Sequence, residues 1–216
     1  DSLTSEITAT LMKSTRCVLL LTLLLSALPV TAADTAPLNL QQENVVAFID
    51  QMVTDHAFDR DALSAVLAKA QVKQNIIKKI STPAERTLTW GEYRKIFITK
   101  ERINAGATFW QDNKEMLQRI ALETGVSIEI LVGIIGVETF YGQHTGNFRT
   151  LDALSTLTFD FPKEHPRAAE RQAFFSKELA QFLVLAHKEK IKPSSIKGSY
   201  AGALGLPQFM PSSWAK

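Results

Sequence analysis

Residues 128–141 read Ile-Glu-Ile-Leu-Val-Gly-Ile-Ile-Gly-Val-Glu-Thr-Phe-Tyr, and this run constrains most what the chain can fold into. Wound as a helix it is apolar on nearly every side, so it is expected to lie buried among other elements. Gly125 stops the helix before it, and Ser127 caps its start. Within the run stands Glu138, with Ile134 and Ile135 one turn earlier and Ile130 and Leu131 two turns earlier. A carboxylate on such a face either leaves water or reaches a polar cleft. Burial disfavours the charged form, which is how a glutamate is kept protonated near neutral pH to act as a general acid. The plainer alternative is a structural glutamate that caps a neighbouring backbone or pairs with an arginine, and the local pattern leaves both open.

The remaining pattern supplies helices to surround this run. Val45, Val46, Ile49, Met52 and Val53 share one helix face, and Leu63, Val66, Leu67 and Ala70 share the next. Asp59 is suited to cap that second helix. Pro83 punctuates a loop, after which Trp90, Tyr93 and Phe97 open a new helical region. Residues 99–123 are expected to form one long helix carrying Ile103, Ala107, Trp110, Leu117 and Ile120. Beyond a loop from Gly142 to about Pro166, a stripe of Phe174, Phe175, Leu179, Phe182, Leu183 and Ala186 marks another helix. Gly198 to Trp214 reads as a glycine- and proline-rich loop leading into a short helix. No strand-like alternation longer than a few residues appears, and no repeat. The expected class is all-α.

Composition removes several functions. A net charge of +2 on 216 residues, 21% of them charged, lacks the concentrated basic face of a nucleic-acid binder, so no nucleic-acid partner is expected. His56, His144, His165 and His187 are scattered without metal-ligand spacing, and no Gly-x-Ser-x-Gly elbow occurs. Neither metal nor cofactor is expected. Asp152 and Asp160 are the candidates for a second carboxylate of a two-carboxylate glycosidase, with helix capping the better fit for Asp152. The loop Gly198-Ser-Tyr-Ala-Gly-Ala-Leu-Gly-Leu-Pro-Gln-Phe-Met-Pro-Ser-Ser-Trp214 holds enough small residues to let backbone approach a ligand or a facing helix. Ser199 and Gln208 offer neutral hydrogen-bonding groups there, and Tyr200, Phe209 and Trp214 offer flat apolar faces, a mix that suits sugars. A tight helix–loop packing motif accounts for the same glycines equally well.

The first residues carry an address. Met12-Lys-Ser-Thr-Arg16 is a short positive region, Val18–Val30 an apolar stretch broken by Pro29, and Val30-Thr-Ala-Ala33 a small-residue cleavage site. The stretch is too short to span a membrane, which takes roughly 20 apolar residues. Residues 12–33 are therefore read as a signal peptide, and 1–11 as upstream translation. Cys17, the only cysteine, stands before the apolar stretch, where a lipid anchor would not be attached. A soluble, exported, periplasmic protein is expected, its fold held by an apolar core instead of disulfides. The chain stops at Lys216 inside an unfinished amphipathic run and is read as incomplete at its C-terminus.

Gly133-Ile-Ile-Gly-Val-Glu138-Thr-Phe-Tyr141-Gly142, then Asp152-Ala-Leu-Ser-Thr-Leu157, then Gly198 to Ser213, closely resemble the MltB-type lytic murein transglycosylases of the lysozyme-like superfamily. The resemblance covers residues 41–216 and implies a lysozyme-like helical domain with a helical N-terminal extension. It also implies a monomer that acts on peptidoglycan glycan strands. By position, Glu138 matches the single catalytic acid/base, Ser199 a serine that orients it, and Gln208 a glycan-contacting glutamine. Tyr93, in Trp90-Gly-Glu-Tyr-Arg, matches an aromatic residue of the saccharide cleft. Tyr200 and Phe209 fall in the same loop as Ser199 and Gln208 and are grouped with the substrate-binding residues. Arg171 matches one of a pair of cleft arginines, but its neighbours are Glu170 and Gln172, and Lys163–Glu170 reads as an insertion. The implied reaction forms a 1,6-anhydromuramoyl end without water. A hydrolytic muramidase and an inactive peptidoglycan-binding protein of the same fold are the competing readings.

Overall fold

The computed structural model describes residues 34–81 and 88–214. The signal-peptide reading of residues 12–33, Cys17 and the loop at Pro83 lie outside the described residues. Strand β1 (Thr35–Pro37) pairs antiparallel with β2 (Gln71–Lys73), Ala36 opposite Val72. Between them run α1 (Glu43–His56) and α2 (Arg60–Leu67). Helix α1 buries Val45, Phe48, Ile49 and Met52, and α2 buries Leu63 and Leu67. Phe48 is the α1 core residue that the sequence pattern passed over, and Val46 is exposed instead. As expected, the Asp59 carboxylate accepts from the Ala62 N–H at 2.8 Å, filling one of the donors every helix leaves open at its start.

After α3 (Gln74–Ser81) come α4 (Trp90–Phe97), α5 (Lys100–Asp112), α6 (Lys114–Thr124) and α7 (Ile128–Thr139). The single helix expected over 99–123 is two. At Asn113 the backbone leaves helical geometry (φ −115°, ψ 18°), and its side-chain amide donates to the Phe109 carbonyl at 2.9 Å. Asparagine competes in this way for the carbonyls a helix would use. Gly125, at φ 73°, ends α6 as expected. Ser127 begins α7 in extended conformation, but its side chain makes no capping bond.

The expectation that residues 128–141 form the central buried helix is wrong. Helix α7 buries Val132, Gly136 and Thr139, while Ile130, Ile134 and Val137 remain about half exposed. The central element is α8 (Thr150–Phe159), all ten of whose residues are buried. Helix α9 (Ala168–Lys188) lies along it, covering it with Phe175, Leu179, Phe182 and Leu183. Burial follows from how many elements surround a helix, and α8 is enclosed by α9, β2, α3 and the short strand β3 (Phe148–Arg149). Strand β3 pairs antiparallel with β4 (Lys197–Gly198). The chain reaches α10 (Pro211–Trp214) after the glycine-rich loop.

Enclosing α8 buries a carboxylate that requires partners. Asp152 is not a helix cap. Its carboxylate accepts from Arg149 Nε (2.9 Å) and Nη2 (2.6 Å) and from the Gln71 N–H of β2 (3.0 Å), with Lys73 Nζ at 3.9 Å. The bonds to Asp152 hold the Arg149 guanidinium above its ordinary pKa. Thr156 Oγ1 accepts from the Lys73 N–H at 3.0 Å.

Removing the buried Asp152 carboxylate leaves the Gln71 N–H and the partly exposed Arg149 guanidinium without their acceptor. Asp152→Ala is therefore expected to lower the unfolding free energy by about 2–3 kcal/mol. Asp50→Ala, at the exposed Arg60 pair, should change it by less than about 1 kcal/mol. Denaturant titration of both variants measures the contrast, and equal effects would refute it.

Candidate active site

Glu138 occupies the last turn of α7, on the face that Ile130, Ile134 and Val137 expose. Its carboxylate is exposed, not desolvated as the apolar sequence around it suggested. Among the described residues it accepts no hydrogen bond and forms no ion pair, which leaves both oxygens open to a ligand. The structural roles open at the sequence level, capping and arginine pairing, are not ones it takes there.

Immediately after Glu138 the backbone turns sharply. Phe140 (φ 49°) and Tyr141 (φ 56°) are both left-handed, and Gly142 follows at φ 90°. Two successive side-chain-bearing residues in that region are costly unless surrounding contacts hold them. Here Gly106 of α5 and Gly136 of α7 leave a slot for the Tyr141 ring, and a β-carbon at either would overlap the phenol oxygen. Tyr141 also packs on Phe109 at 5.4 Å between ring centres.

The same turn is locked to the glycine-rich loop. Thr139 Oγ1 donates to the Leu206 carbonyl at 3.1 Å and accepts from the Gly142 N–H at 3.1 Å. A β-carbon on Gly142 would meet Leu206 Cδ2 at 2.8 Å. Gly146 (φ 96°) packs directly on the Gly198 carbonyl. Gln208, itself left-handed at φ 50°, donates through Nε2 to the carbonyls of Thr145 (3.1 Å) and Gly205 (3.0 Å). Residues 139–149 and 196–209 thus interlock by backbone approach, so the close-packing explanation of these glycines holds.

Ser199 is held inside its own turn, with Oγ accepting from the N–H groups of Ala203 (3.0 Å) and Ala201 (3.3 Å). Among the described residues it makes no hydrogen bond to Glu138. The link between the glutamate's helix and this loop is Thr139, which sequence reasoning missed. Its only signal was a hydroxyl beside Glu138 on an otherwise apolar run.

This interlocked pair of segments lies within a single family match: the transglycosylase SLT domain model covers residues 40–216. The chain belongs to that family. It is 41% identical over 180 residues to membrane-bound lytic murein transglycosylase B of Escherichia coli, over 79% of this chain and 48% of that protein. Its fold matches soluble lytic transglycosylase SltB1 of Pseudomonas aeruginosa at TM-score 0.72 and 49% identity, over 78% of this chain and 55% of that one. It matches the Escherichia coli lytic transglycosylase Slt35 at TM-score 0.74 and 38% identity, over 88% and 58%. The chain therefore spans about half the length of the relatives it matches. The resemblance drawn from the two glycine-containing motifs and the lysozyme-like helical class both stand.

In this transglycosylase SLT domain the other nominated residues fall in three places. Tyr93 lies on α4 between Trp90 (6.1 Å, stacked) and Phe97 (5.0 Å). Tyr200 lines a cavity of about 570 Å³ with His165, Arg167 and Arg171, and the Arg171 guanidinium lies over the Phe175 ring at 5.2 Å. Phe209 is about half exposed and meets Trp214 edge to face at 6.0 Å. Asp152 is committed to Arg149, and Asp160 follows the end of α8. His144, His165 and His187 each pack against a phenylalanine ring. Among the described residues no group of three or more His, Cys, Asp or Glu is arranged to hold a metal. No single helix among them is long and apolar enough to cross a membrane.

Thr139→Val keeps the side-chain shape while leaving the Leu206 carbonyl and the Gly142 N–H without their shared partner. It is expected to cost about 1–3 kcal/mol and to speed hydrogen exchange at the Gly142 amide. Unchanged exchange there would mean that the interlock is held elsewhere.

Proposed function

We propose that this chain belongs to an exported lytic transglycosylase that cleaves the β-1,4 bond between N-acetylmuramic acid and N-acetylglucosamine in peptidoglycan. The observation that carries the reading is Glu138: a carboxylate without partners among the described residues, at the end of an open apolar helix face, beside a loop rigidified by glycine contacts. Membership of the family, and relatives named lytic transglycosylases at 38–49% identity, one of them a lytic murein transglycosylase, support it.

The chemistry needs one carboxylate. Glu138 protonates the glycosidic oxygen as the C1–O bond breaks, and the substrate's own acetamido group stabilises the cation developing at C1. The Glu138 carboxylate then takes the proton from the muramoyl C6 hydroxyl, whose oxygen bonds to C1. The product is a 1,6-anhydro sugar, Glu138 is regenerated as the acid, and no water is consumed. A second carboxylate has no task, in keeping with the commitment of Asp152 to Arg149.

Ser199 accepts from two backbone N–H groups, so its hydroxyl proton is available to donate, and we assign Glu138 as its acceptor when glycan is bound. Gln208 spends its amide N–H groups on the loop and offers its carbonyl oxygen to a sugar. Tyr93, Tyr200 and Phe209 supply apolar faces for pyranose rings.

Glu138→Gln in the full-length protein keeps the shape but removes the proton that the leaving oxygen needs. Turnover of purified peptidoglycan is expected to fall roughly 10²–10⁴-fold while glycan binding survives. Products of the unmutated protein should be about 18 Da lighter than hydrolysis gives, the mass of the excluded water. Reducing muramic acid ends would make the protein a hydrolase, and binding without turnover a peptidoglycan-binding protein.

Export rests on residues 12–33. The Escherichia coli relative is named membrane-bound, whereas Cys17 precedes the apolar stretch instead of following it. N-terminal sequencing of the exported protein is expected to find cleavage after Ala32 or Ala33 and no lipid. Retained Met12 or a lipidated N-terminus would refute this.

A further inference from the structure

We propose that Arg102 is a positioning residue for glycan binding: its guanidinium, held between the rings of Phe97 and Phe140, ties the aromatic face of α4 to the end of the helix that carries Glu138. The ligand in this proposal rests on the transglycosylase reading; the positioning itself does not.

Helix α4 needs such a tie. It has eight residues and buries none of them, and a helix that short is marginal without outside packing. Its start is secured by a capping box in which Thr89 donates through Oγ1 (2.7 Å) and N–H (2.9 Å) to the Glu92 carboxylate. These bonds hold the Glu92 carboxyl below its ordinary pKa. The other end is secured by Arg102, whose Nη1 donates to the Ile96 carbonyl at 2.9 Å, one of the acceptors a helix leaves open at its C-terminus. The Arg102 guanidinium carbon lies 5.0 Å from the ring centre of Phe97 and 5.0 Å from that of Phe140, within cation–π range of both.

The contact extends in both directions. Trp90 stacks on Tyr93, Tyr93 packs on Phe97, Arg102 bridges Phe97 to Phe140, and Phe140 stacks on His144 at 5.9 Å. These six flat groups run unbroken from α4 to the turn two residues beyond Glu138. Phe140 reaches this line because its left-handed backbone carries it off the axis of α7.

Two features of Arg102 are unfavourable by themselves and are offset by this role. It places a cation in the first turn of α5, where the helix dipole opposes positive charge. Its Nε is buried with no hydrogen-bond partner among the described residues, a geometry that leaves a donor unsatisfied. A planar cation that can face two rings at once accounts for both. Lysine carries a compact charge on a flexible stem and does not reproduce that geometry.

The test uses the full-length protein and soluble, uncrosslinked glycan chains, with Arg102→Ala, Arg102→Lys, Tyr93→Ala and the Arg102→Ala/Tyr93→Ala pair. Arg102→Ala is expected to raise KM at least about fivefold with kcat within about twofold of the unmutated protein. Arg102→Lys should match Arg102→Ala. If Arg102 acts through the α4 aromatic face, the double variant should raise KM no further than the larger single effect. Hydrogen exchange of the amides of residues 93–98 should quicken about tenfold in Arg102→Ala while α8 keeps its protection. A fall in kcat at unchanged KM, additive KM effects, normal binding in Arg102→Lys or unaltered exchange in α4 would each overturn the proposal. Absence of turnover by the unmutated protein would defeat the transglycosylase reading alone, because the exchange measurement still decides the role of Arg102.

Discussion

The carboxylate of Asp152 is the interaction on which the rest of the structure depends. It accepts from the Gln71 N–H and from both Nε and Nη2 of Arg149, and Arg149 Nη2 also donates to the Lys69 carbonyl at 2.7 Å. One buried carboxylate therefore fixes strand β2, the central helix α8 and strand β3 together. Strand β3 pairs Phe148 with Gly198, next to Ser199. The glycine-rich loop thus grows from a strand whose partner is anchored in the core. Charge inside an apolar core stabilises a fold only when its hydrogen bonds are complete, and here the carboxylate has three donors.

On the glutamate side the protein works by close backbone approach. Glycines at 106, 136, 142, 146 and 198 stand where a β-carbon would collide with a neighbour. They let the Tyr141 ring enter between two helices and let the turn after Glu138 rest against residues 198–206. Thr139 and Gln208 supply side-chain hydrogen bonds across that seam. The result is a glutamate carried on a rigid backbone while its carboxylate takes no partner among the described residues, which is what the acid/base role proposed for it requires.

Much of the helical organisation was legible in the sequence. The α1 and α2 faces, the Asp59 cap, the Gly125 stop and most of the α9 stripe follow from periodicity and capping chemistry, which involve only residues near in sequence. The motif containing Glu138 and the loop containing Ser199 and Gln208 were legible as a family pattern. The rank order of burial was not. Helix α7, with seven aliphatic side chains between Ile128 and Val137, looked central, whereas α8, with Asp152, Ser155, Thr156 and Thr158, looked less so. Asp152 and Thr156 find partners 81 to 85 residues away in β2, and no local pattern announces such pairs. The break at Asn113 was missed because the apolar residues on either side continue one helical period.

What the sequence by itself determined is most of the helices, several of their ends and the motifs that mark the family, because each depends on neighbours within a turn or two of chain. Only the tertiary structure decided which helix is enclosed, that Glu138 stands exposed, that Thr139 joins its helix to the glycine-rich loop, and that Arg102 lies between Phe97 and Phe140. Those outcomes depend on which distant segments surround a residue on every side, and burial and hydrogen-bond pairing are properties of that surrounding.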